Sequence, residues 1–222
     1  MAVILRIELK MKRLLIIGAG GFGREVLHWA LDVRPQNRDW EVSGFLDADP
    51  AVLDAYNCRL PILADPLHYS PQEDDCFICA IGHPSTKLKV CRSLKERGAH
   101  FITLIHPTAI HGRRCVLGEG CIFCPGSIIT VDVTIGDFVT VNAHSTIGHN
   151  AVVGQGCTLS GHVDVTGYAS LGEGVFLGSH AVVLPGATVG DYAVVGAGSV
   201  VLKKVKAGAT VMGVPAKQIA GF

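Results

Sequence analysis

The segment TIGHNAVVGQG, residues 146–156, contains one side chain that a turn does not require, His149. Neutral imidazole accepts a proton near neutral pH, so an exposed histidine at this position is either a general base or an ordinary polar residue at a turn. Its position alone favours the turn residue. Three other histidines, His144, His162 and His180, recur at equal intervals and would form a ladder if the chain coiled with that period. Ladder histidines point the same way and do not converge on a tetrahedral metal site, so we expect no metal there.

Two CxxC units, CFIC (Cys76, Cys79) and CIFC (Cys121, Cys124), raise the question of zinc. The first lies in an apolar run typical of a buried strand, in which positions three apart point to opposite faces and cannot share a metal. We therefore expect structural thiols and no metal cofactor.

The segment GAGGFG, residues 18–23, follows a strand-like run and precedes a helical pattern. In that context backbone N–H groups and a helix N terminus can bind a diphosphate. The α/β part of the chain that contains this segment is about the size of one mononucleotide half of a dinucleotide fold. This size favours a nucleotide-linked sugar over NAD as the ligand. A packing turn without a ligand remains the alternative. Asp47, at the end of a strand-like run, either accepts hydrogen bonds from a nucleotide or caps a turn.

Composition excludes several classes of function. Lys+Arg and Asp+Glu balance at 19 each, without a basic block, which argues against a nucleic-acid partner. The apolar runs near the N terminus are too short to span a bilayer and no cleavage site follows them, so we expect no membrane partner and a cytoplasmic location. Residues 1–10 are either an extension or an edge strand.

The chain changes character near residue 105. Before it, strand-like runs alternate with helical patterns, which predicts a parallel α/β domain over residues 11–104. After it, every sixth residue from Ile105 to Val201 is large and apolar except His111. This rhythm predicts a parallel β-helix of hexapeptide repeats over residues 105–205, with 206–222 as a capping tail.

A second column lies two residues before the first, and its members are all small or β-branched. Positions two apart on a strand share a face, so each repeat points one large and one small residue inward. Cys115, Cys121 and Cys157 fall in the small column, which favours core positions over ligation. Glycine often follows the large residue, as at Gly148, and we assign it to the turn between strands.

Seven motifs occur in a characteristic order: GAGGFGREV, GFLDAD, AIG, LIHPTA, IGHNAVVG, VLPGATVGDYAVVGAGSVV and GVPAKQI. In this order they resemble the bacterial family of sialic-acid O-acetyltransferases and nucleotide-linked 4-amino-sugar N-acetyltransferases. The resemblance implies a left-handed β-helix and a homotrimer. It also implies an α/β domain that binds a nucleotide-linked sugar, and acetyl-CoA held between neighbouring β-helices.

The resemblance also assigns roles to individual positions. His149 matches the family's proton acceptor, and Asn150 stands where the family commonly has a carboxylate; Asp132, Asp137 and Asp164 are candidate substitutes. Positions matching contacts to the nucleotide-linked sugar are Gly20, Gly21, Phe22, Asp47, Ala48, Gly82 and Asn142. Positions matching contacts to acetyl-CoA are Thr158, Gly167, Ser179 and Ala197. Phe22, Ala48 and Thr158 depart from residues common in the family, namely histidine, an acidic residue and histidine.

We therefore expect an acetyl-CoA-dependent N-acetyltransferase acting on a nucleotide-linked amino sugar in surface-glycan precursor synthesis. His149 would take the acceptor proton during direct transfer, and backbone N–H groups of an adjacent coil would stabilise the oxyanion. Lys203, Lys204, Lys206 and Lys217 would either meet CoA phosphates or remain solvated. The alternatives are O-acetylation of a free sugar such as sialic acid, a metal-dependent hydratase of the same fold, and a non-catalytic scaffold.

Overall fold

The computed structural model describes residues 11–219. The expectation for residues 1–10 lies outside the described residues. The N-terminal domain contains, in order, β1 (Lys12–Ile17), α1 (Gly21–Asp32), a 3₁₀ turn (Pro35–Asn37), β2 (Trp40–Leu46), β3 (Ile62–Ala64), β4 (Asp75–Cys79) and α2 (Pro84–Glu96). The short strand β3 was not predicted from the sequence.

These strands form one parallel sheet in the order β3-β2-β1-β4. Alternate residues of β1 pack on opposite sides: Leu14 and Ile16 contact the apolar side of α1, and Leu15 and Ile17 contact that of α2. This explains why β1 is a continuous apolar run, since a parallel strand covered on both faces needs no polar side. The chain places β2 and β3 on one side of β1 and then crosses to place β4 on the other side. This reversal leaves a crevice at the carboxyl ends of β1 and β4.

The second domain is a parallel β-helix, as the sequence predicted. Its two-residue strands are β5 (Leu104–Ile105), β6 (Ile110–His111), β7 (Val116–Leu117), β8 (Ile122–Phe123), β9 (Ile128–Ile129), β10 (Thr134–Ile135), β11 (Thr140–Val141), β12 (Thr146–Ile147), β13 (Val152–Val153), β14 (Thr158–Leu159), β15 (Asp164–Val165), β16 (Ser170–Leu171), β17 (Phe176–Leu177), β18 (Val182–Val183), β19 (Thr188–Val189), β20 (Val194–Val195), β21 (Val200–Val201) and β22 (Lys204–Val205). They are followed by β23 (Thr210–Met212) and β24 (Lys217–Gln218).

Each coil consists of three hexapeptide repeats, since Thr146 of β12 lies beside Asp164 of β15. The strands stack into three sheets, so the helix is a triangular prism. We call the sheets the Thr146 face (β6 to β21), the Val152 face (β7 to β22) and the covered face (β5 to β24). The large and small columns fill the interior: Ile147 and Ala151 are both fully buried.

Three corners join the faces, and we name each by one residue. The His149 corner comprises residues 148–150 and the equivalent positions of the other coils; the His144 corner comprises 142–144 and the Glu173 corner 172–174, each again with its equivalents. The chain runs from the Thr146 face through the His149 corner to the Val152 face. It then passes the Glu173 corner to the covered face, and the His144 corner returns it to the Thr146 face.

The third residue of most corners adopts the left-handed conformation, with φ of 58° at Asn150 and 60° at Tyr168. Gly148, the first corner residue, does not adopt it. A Cβ on Gly148 would lie 2.6 Å from the backbone nitrogen of Gly167. The prediction that this glycine supplies the turn conformation was therefore wrong, because its role is to let the next coil approach closely.

The N-terminal domain sits on the covered face through α2. Phe101 stacks edge-on against Phe138 at a centroid distance of 5.0 Å, and Arg92 Nη2 lies 2.8 Å from Glu173 Oε1. The side chain of Lys87 is fully buried between α2 and the coils. At the far end, β23 pairs in parallel with β20 at an offset of 16 residues in place of 18, and β24 turns back antiparallel. Strand pairing therefore continues past residue 205, but the regular repeat does not.

All eight cysteines are free thiols. Cys76 and Cys79 pack on opposite sides of the sheet, and Cys121 lies inside the β-helix while Cys124 faces the N-terminal domain. Burial raises the pKa of Cys76 to about 12 and that of Cys121 to about 11, so neither thiol ionises readily. Neither helix of the described chain is long and apolar enough to cross a membrane.

The two reasons for a glycine at a corner, close approach of the next coil and a left-handed φ, can be tested separately. A Cβ on Gly136, a first corner residue, would lie 2.7 Å from the backbone nitrogen of Gln155, whereas Gly208 needs only its φ of 67° and has open space around it. We expect Gly136→Ala to destabilise the fold by roughly 2–3 kcal/mol through overpacking. Gly208→Asn should cost under about 1 kcal/mol, because asparagine tolerates this conformation. Thermal unfolding midpoints measure both, and equal losses would contradict the assignment.

Candidate active site

The glycine segment forms the turn from β1 into α1, as predicted. Gly20 is the N-cap of α1, and no acidic residue occupies the first turn. A Cβ on Gly23 would meet the carbonyl oxygen of Gly18 at 2.0 Å, so that glycine serves close packing. Space around Gly20 and Gly82 is open within 4 Å, and these two positions flank the crevice between β1 and β4. The helix N terminus is therefore accessible to an anionic group.

A cleft of about 320 Å³ opens beside this turn. It is lined by Gly18, Leu46, Asp47, Ala48, Asp65, Pro66, Leu67, Ile81, Thr86 and Val90. Its floor is apolar and its rim carries two carboxylates, which is the composition of a small-molecule site. Two predicted contact positions, Asp47 and Ala48, line this cleft, while Gly20, Gly21 and Gly82 lie at the nearby turns.

Asp47 holds the glycine turn in place. Its Oδ2 accepts a hydrogen bond from Ala19 N at 2.7 Å, and Oδ1 accepts one from Asp49 N at 3.0 Å. Both oxygens thus support the backbone, which is the capping role that the sequence left open. Phe22 is half-buried and stacks edge-on against Trp29 of the same helix, with centroids 5.9 Å apart.

His149 is exposed at its corner and lies over the next coil. A Cβ on Gly167 would be 2.6 Å from His149 Nε2, so the missing side chain makes room for the imidazole. The ring of Tyr168 meets the imidazole edge-on at a centroid distance of 5.1 Å. Sequence reasoning missed the Tyr168 contact. The repeat could have revealed it, because Tyr168 is the equivalent of Asn150 in the next coil and so lies beside His149.

Asn150 orients the imidazole. Its Oδ1 lies 3.1 Å from His149 Nδ1. Because an amide oxygen only accepts, the contact favours the tautomer protonated at Nδ1 and leaves a lone pair on Nε2. Asn150 also occupies the left-handed corner position, with φ of 58°, which asparagine tolerates better than most residues.

The three aspartates considered as substitutes are engaged elsewhere. Asp132 accepts two hydrogen bonds from Arg114, at 2.6 and 2.8 Å, and these lower its pKa. Asp137 lies at the Glu173 corner and accepts from Glu119 N at 3.0 Å, and Asp164 accepts from the hydroxyl of Thr146. Within residues 11–219, the side chain that hydrogen-bonds His149 is therefore an amide and not a carboxylate.

Three predicted contact positions lie at another corner. Asn142, Ser179 and Ala197 all belong to the His144 corner, one prism face away from His149. The histidine ladder stands at the same corner: successive ring centroids of His144, His162 and His180 are 5.2 and 4.8 Å apart and nearly parallel. In the described part of the chain, no group of three or more histidine, cysteine or acidic side chains is arranged to hold a metal ion.

Thr158 does not line an open groove. It lies on the covered face, only 5% exposed, and its hydroxyl accepts a hydrogen bond from Lys87 Nζ at 2.9 Å. Because α2 covers this position, the hydroxyl is engaged within the chain, and a contact between Thr158 and acetyl-CoA stays a prediction. Gly167, Ser179 and Ala197 lie at corners and are not covered by α2.

A basic cleft of about 410 Å³ marks the C-terminal end of the β-helix. Lys203, Lys204 and Lys206 line it over an apolar floor that includes Val205 and Val211. Lys203 lies in the two-residue turn between β21 and β22, at the same corner of the prism as His149 and three coils from it. At about 4.8 Å per coil, this is a separation of roughly 14 Å.

Two family models match the chain. The PglD N-terminal domain matches residues 13–94, and the bacterial transferase hexapeptide (six repeats) matches residues 168–203. The matches correspond to the α/β domain and to coils of the β-helix. None of the curated protein sequences matches the chain significantly.

Solved structures share the complete architecture. PerB from Caulobacter crescentus, solved with CoA and GDP-perosamine, is 31% identical with a TM-score of 0.82, over 93% of this chain and 97% of that one. The acetyltransferase domain of PglB from Neisseria gonorrhoeae is 24% identical, with a TM-score of 0.82, over 94% and 100% of the two chains. WeeI from Acinetobacter baumannii is also 24% identical, with a TM-score of 0.81 and the same coverage. The latter two show the fold alone.

PerB is similar over nearly the full length of both chains, and the two family models account for the two domains separately. The chain therefore belongs to the left-handed β-helix acyltransferases of the bacterial sialic-acid O-acetyltransferase and nucleotide-linked 4-amino-sugar N-acetyltransferase family.

Proposed function

We propose that the protein transfers the acetyl group of acetyl-CoA to the amine of a nucleotide-linked amino sugar, in the synthesis of a surface-glycan precursor. The observation that carries the proposal is His149, whose exposed imidazole lies over Gly167 while Asn150 holds its Nδ1. The similarity to PerB, which was solved with CoA and GDP-perosamine, supports the substrate classes.

The α/β domain supplies the binding site for the acceptor. The accessible N terminus of α1 at Gly20 suits a diphosphate, and the cleft beside Asp47 suits the apolar and polar surfaces of a nucleoside. Gly21, Phe22, Ala48 and Gly82 border this region and remain proposed contacts. Asp47 contributes chiefly by fixing the turn.

Transfer proceeds in one displacement. The acceptor nitrogen attacks the thioester carbonyl, His149 Nε2 takes the proton that the nitrogen loses, and the C–S bond breaks to release the thiolate of CoA, which is then protonated. The N–H of Gly167 donates no hydrogen bond within the described chain, so it is free to stabilise the oxyanion. No protein nucleophile is required.

The prism geometry supports a proposal of assembly between subunits. Asn142 and Ser179 stand one face away from His149, about 16 Å by strand rise, which is too far for one reacting centre. A neighbouring subunit that places its His144 corner beside the His149 corner would bring them together. Exposed apolar residues on the two outer faces, including Ile110 at 59% and Val116 at 63%, support such contacts. We propose a homotrimer with acetyl-CoA between subunits.

Replacing the base tests the catalytic assignment. His149→Ala should lower kcat by about 10²- to 10⁴-fold with little change in KM for acetyl-CoA, because general-base catalysis is lost and binding is not. Release of free thiol with a panel of nucleotide-linked amino sugars and with sialic acid measures the rate. His100→Asn, at an exposed histidine of the other domain, is the control. Undiminished kcat in His149→Ala would refute the assignment, and transfer to sialic acid alone would favour O-acetylation.

Gly167 offers a second test through sterics. Gly167→Ala should lower kcat at least tenfold, since its Cβ would occupy the place of His149 Nε2. Gly98→Asn, in the turn after α2, is the control, because nothing lies within 4 Å of a Cβ there and asparagine tolerates its φ of 88°. Equal kcat values for the two variants would show that the space above Gly167 does not serve His149.

The lysines of the basic cleft predict where the phosphates of CoA bind, and their substitution tests this. An extended pantetheine arm has roughly the length of four residues, about 14 Å, which matches the separation of Lys203 from His149. We expect Lys203→Met with Lys204→Met to raise KM for acetyl-CoA about fivefold, as loss of about 1 kcal/mol would do. KM for acetyl-pantetheine, which lacks the phosphates, should not change. An equal change for both donors would contradict phosphate binding.

A further inference from the structure

Lys87 makes an unusual contact between the two domains. It belongs to α2, its side chain is completely buried, and its Nζ lies 3.1 Å from Thr140 Oγ1, 3.1 Å from the Cys157 carbonyl oxygen and 2.9 Å from Thr158 Oγ1. Three acceptors match the three donors of an ammonium group. The neighbouring pair between the domains, Arg92 with Glu173, is by contrast partly exposed.

The position of these acceptors along the chain is informative. Thr140 and Thr158 are paired neighbours on β11 and β14, so they begin and end one complete coil. That coil contains His149 and Asn150. Lys87 therefore donates hydrogen bonds to both ends of the coil that carries the proposed base.

The other side of α2 borders the proposed nucleotide-sugar cleft. Thr86 and Val90 line that cleft together with Gly18 and Asp47, and Gly82 lies two residues before the helix begins. The same helix thus contacts the acceptor site and the catalytic coil. A shift of α2 would move the acceptor relative to His149.

Stability alone does not account for a buried lysine at this junction. Its neighbours are neutral oxygens and thiols, and burial lowers its pKa from the usual range. Burying an ammonium group without a carboxylate costs desolvation free energy, and an apolar side chain of similar volume is often as stable or more stable. What the three directed hydrogen bonds provide is one defined geometry between the domains.

We infer that Lys87 is a positioning residue for acetyl transfer: it holds α2, and with it the acceptor cleft, at a fixed place over the coil that carries His149. The inference rests on the proposed function. Lys87 touches neither substrate, so its loss should affect the alignment of the reactants and leave each binding site intact.

The test compares Lys87→Met, which keeps the length of the side chain, with Lys89→Met, an exposed position on the same helix. For Lys87→Met we expect an unfolding midpoint equal to or above that of the parent and a kcat at least tenfold lower. KM for acetyl-CoA and the Kd of the nucleoside diphosphate alone should change less than twofold. Lys89→Met should match the parent in all four values.

A merely structural role would give a different pattern, with a lowered unfolding midpoint and parental kcat per folded molecule, and this result would overturn the inference. If Lys87→Met does not fold, Thr140→Val removes one acceptor at equal volume. It should lower kcat at least threefold with both binding constants retained, and parental kcat would overturn the inference.

A second measurement does not depend on the reaction. Amide hydrogen exchange should accelerate in α2 and in residues 140–158 of Lys87→Met, and remain parental in β1 and in the coils after residue 176. Unchanged exchange at the junction would overturn the inference. If the parent itself acetylates no nucleotide-linked sugar, the proposed function fails, while the exchange result still decides whether Lys87 fixes the domains.

Discussion

Close backbone contact between successive coils is the constraint on which the rest of this structure depends. Gly148 N donates to the carbonyl of Val165 at 2.7 Å, and a Cβ at that glycine would overlap the next coil. Stacking at this spacing requires one large and one small residue inward from every repeat, so all other side chains project outward at faces or corners. The location of each functional group follows from its place in the three-repeat coil.

That constraint separates the parts of the proposed site. His149 stands at one corner, Asn142 and Ser179 at another, and the cleft beside Asp47 belongs to a domain mounted on the third side. A rigid prism cannot bring these positions of one chain into contact. We therefore propose that the function depends on two junctions, one that Lys87 fixes within the chain and one that contact between subunits provides.

Periodicity made much of this predictable. It correctly placed Ile147 in the core, Cys157 in the small column and the histidine ladder along one corner. It could not reveal what covers each face, because outward positions look alike in sequence. For this reason neither the cover that α2 places over Thr158 nor the contact made by Lys87 was predicted. The sequence also could not tell why each corner glycine is present. Close approach of the next coil and a left-handed φ both favour glycine, for different physical reasons.

The most direct test of a shared site is complementation between two inactive variants, His149→Ala and Ser179→Trp, whose mutated corners lie one face apart. When the subunits are mixed, a site that takes its base from one chain and its His144 corner from the next should recover. Random mixing predicts activity near roughly a quarter of the parental value. Failure of every mixture to recover activity, with mixed oligomers present, would contradict the account, because it would mean that each chain builds its site alone.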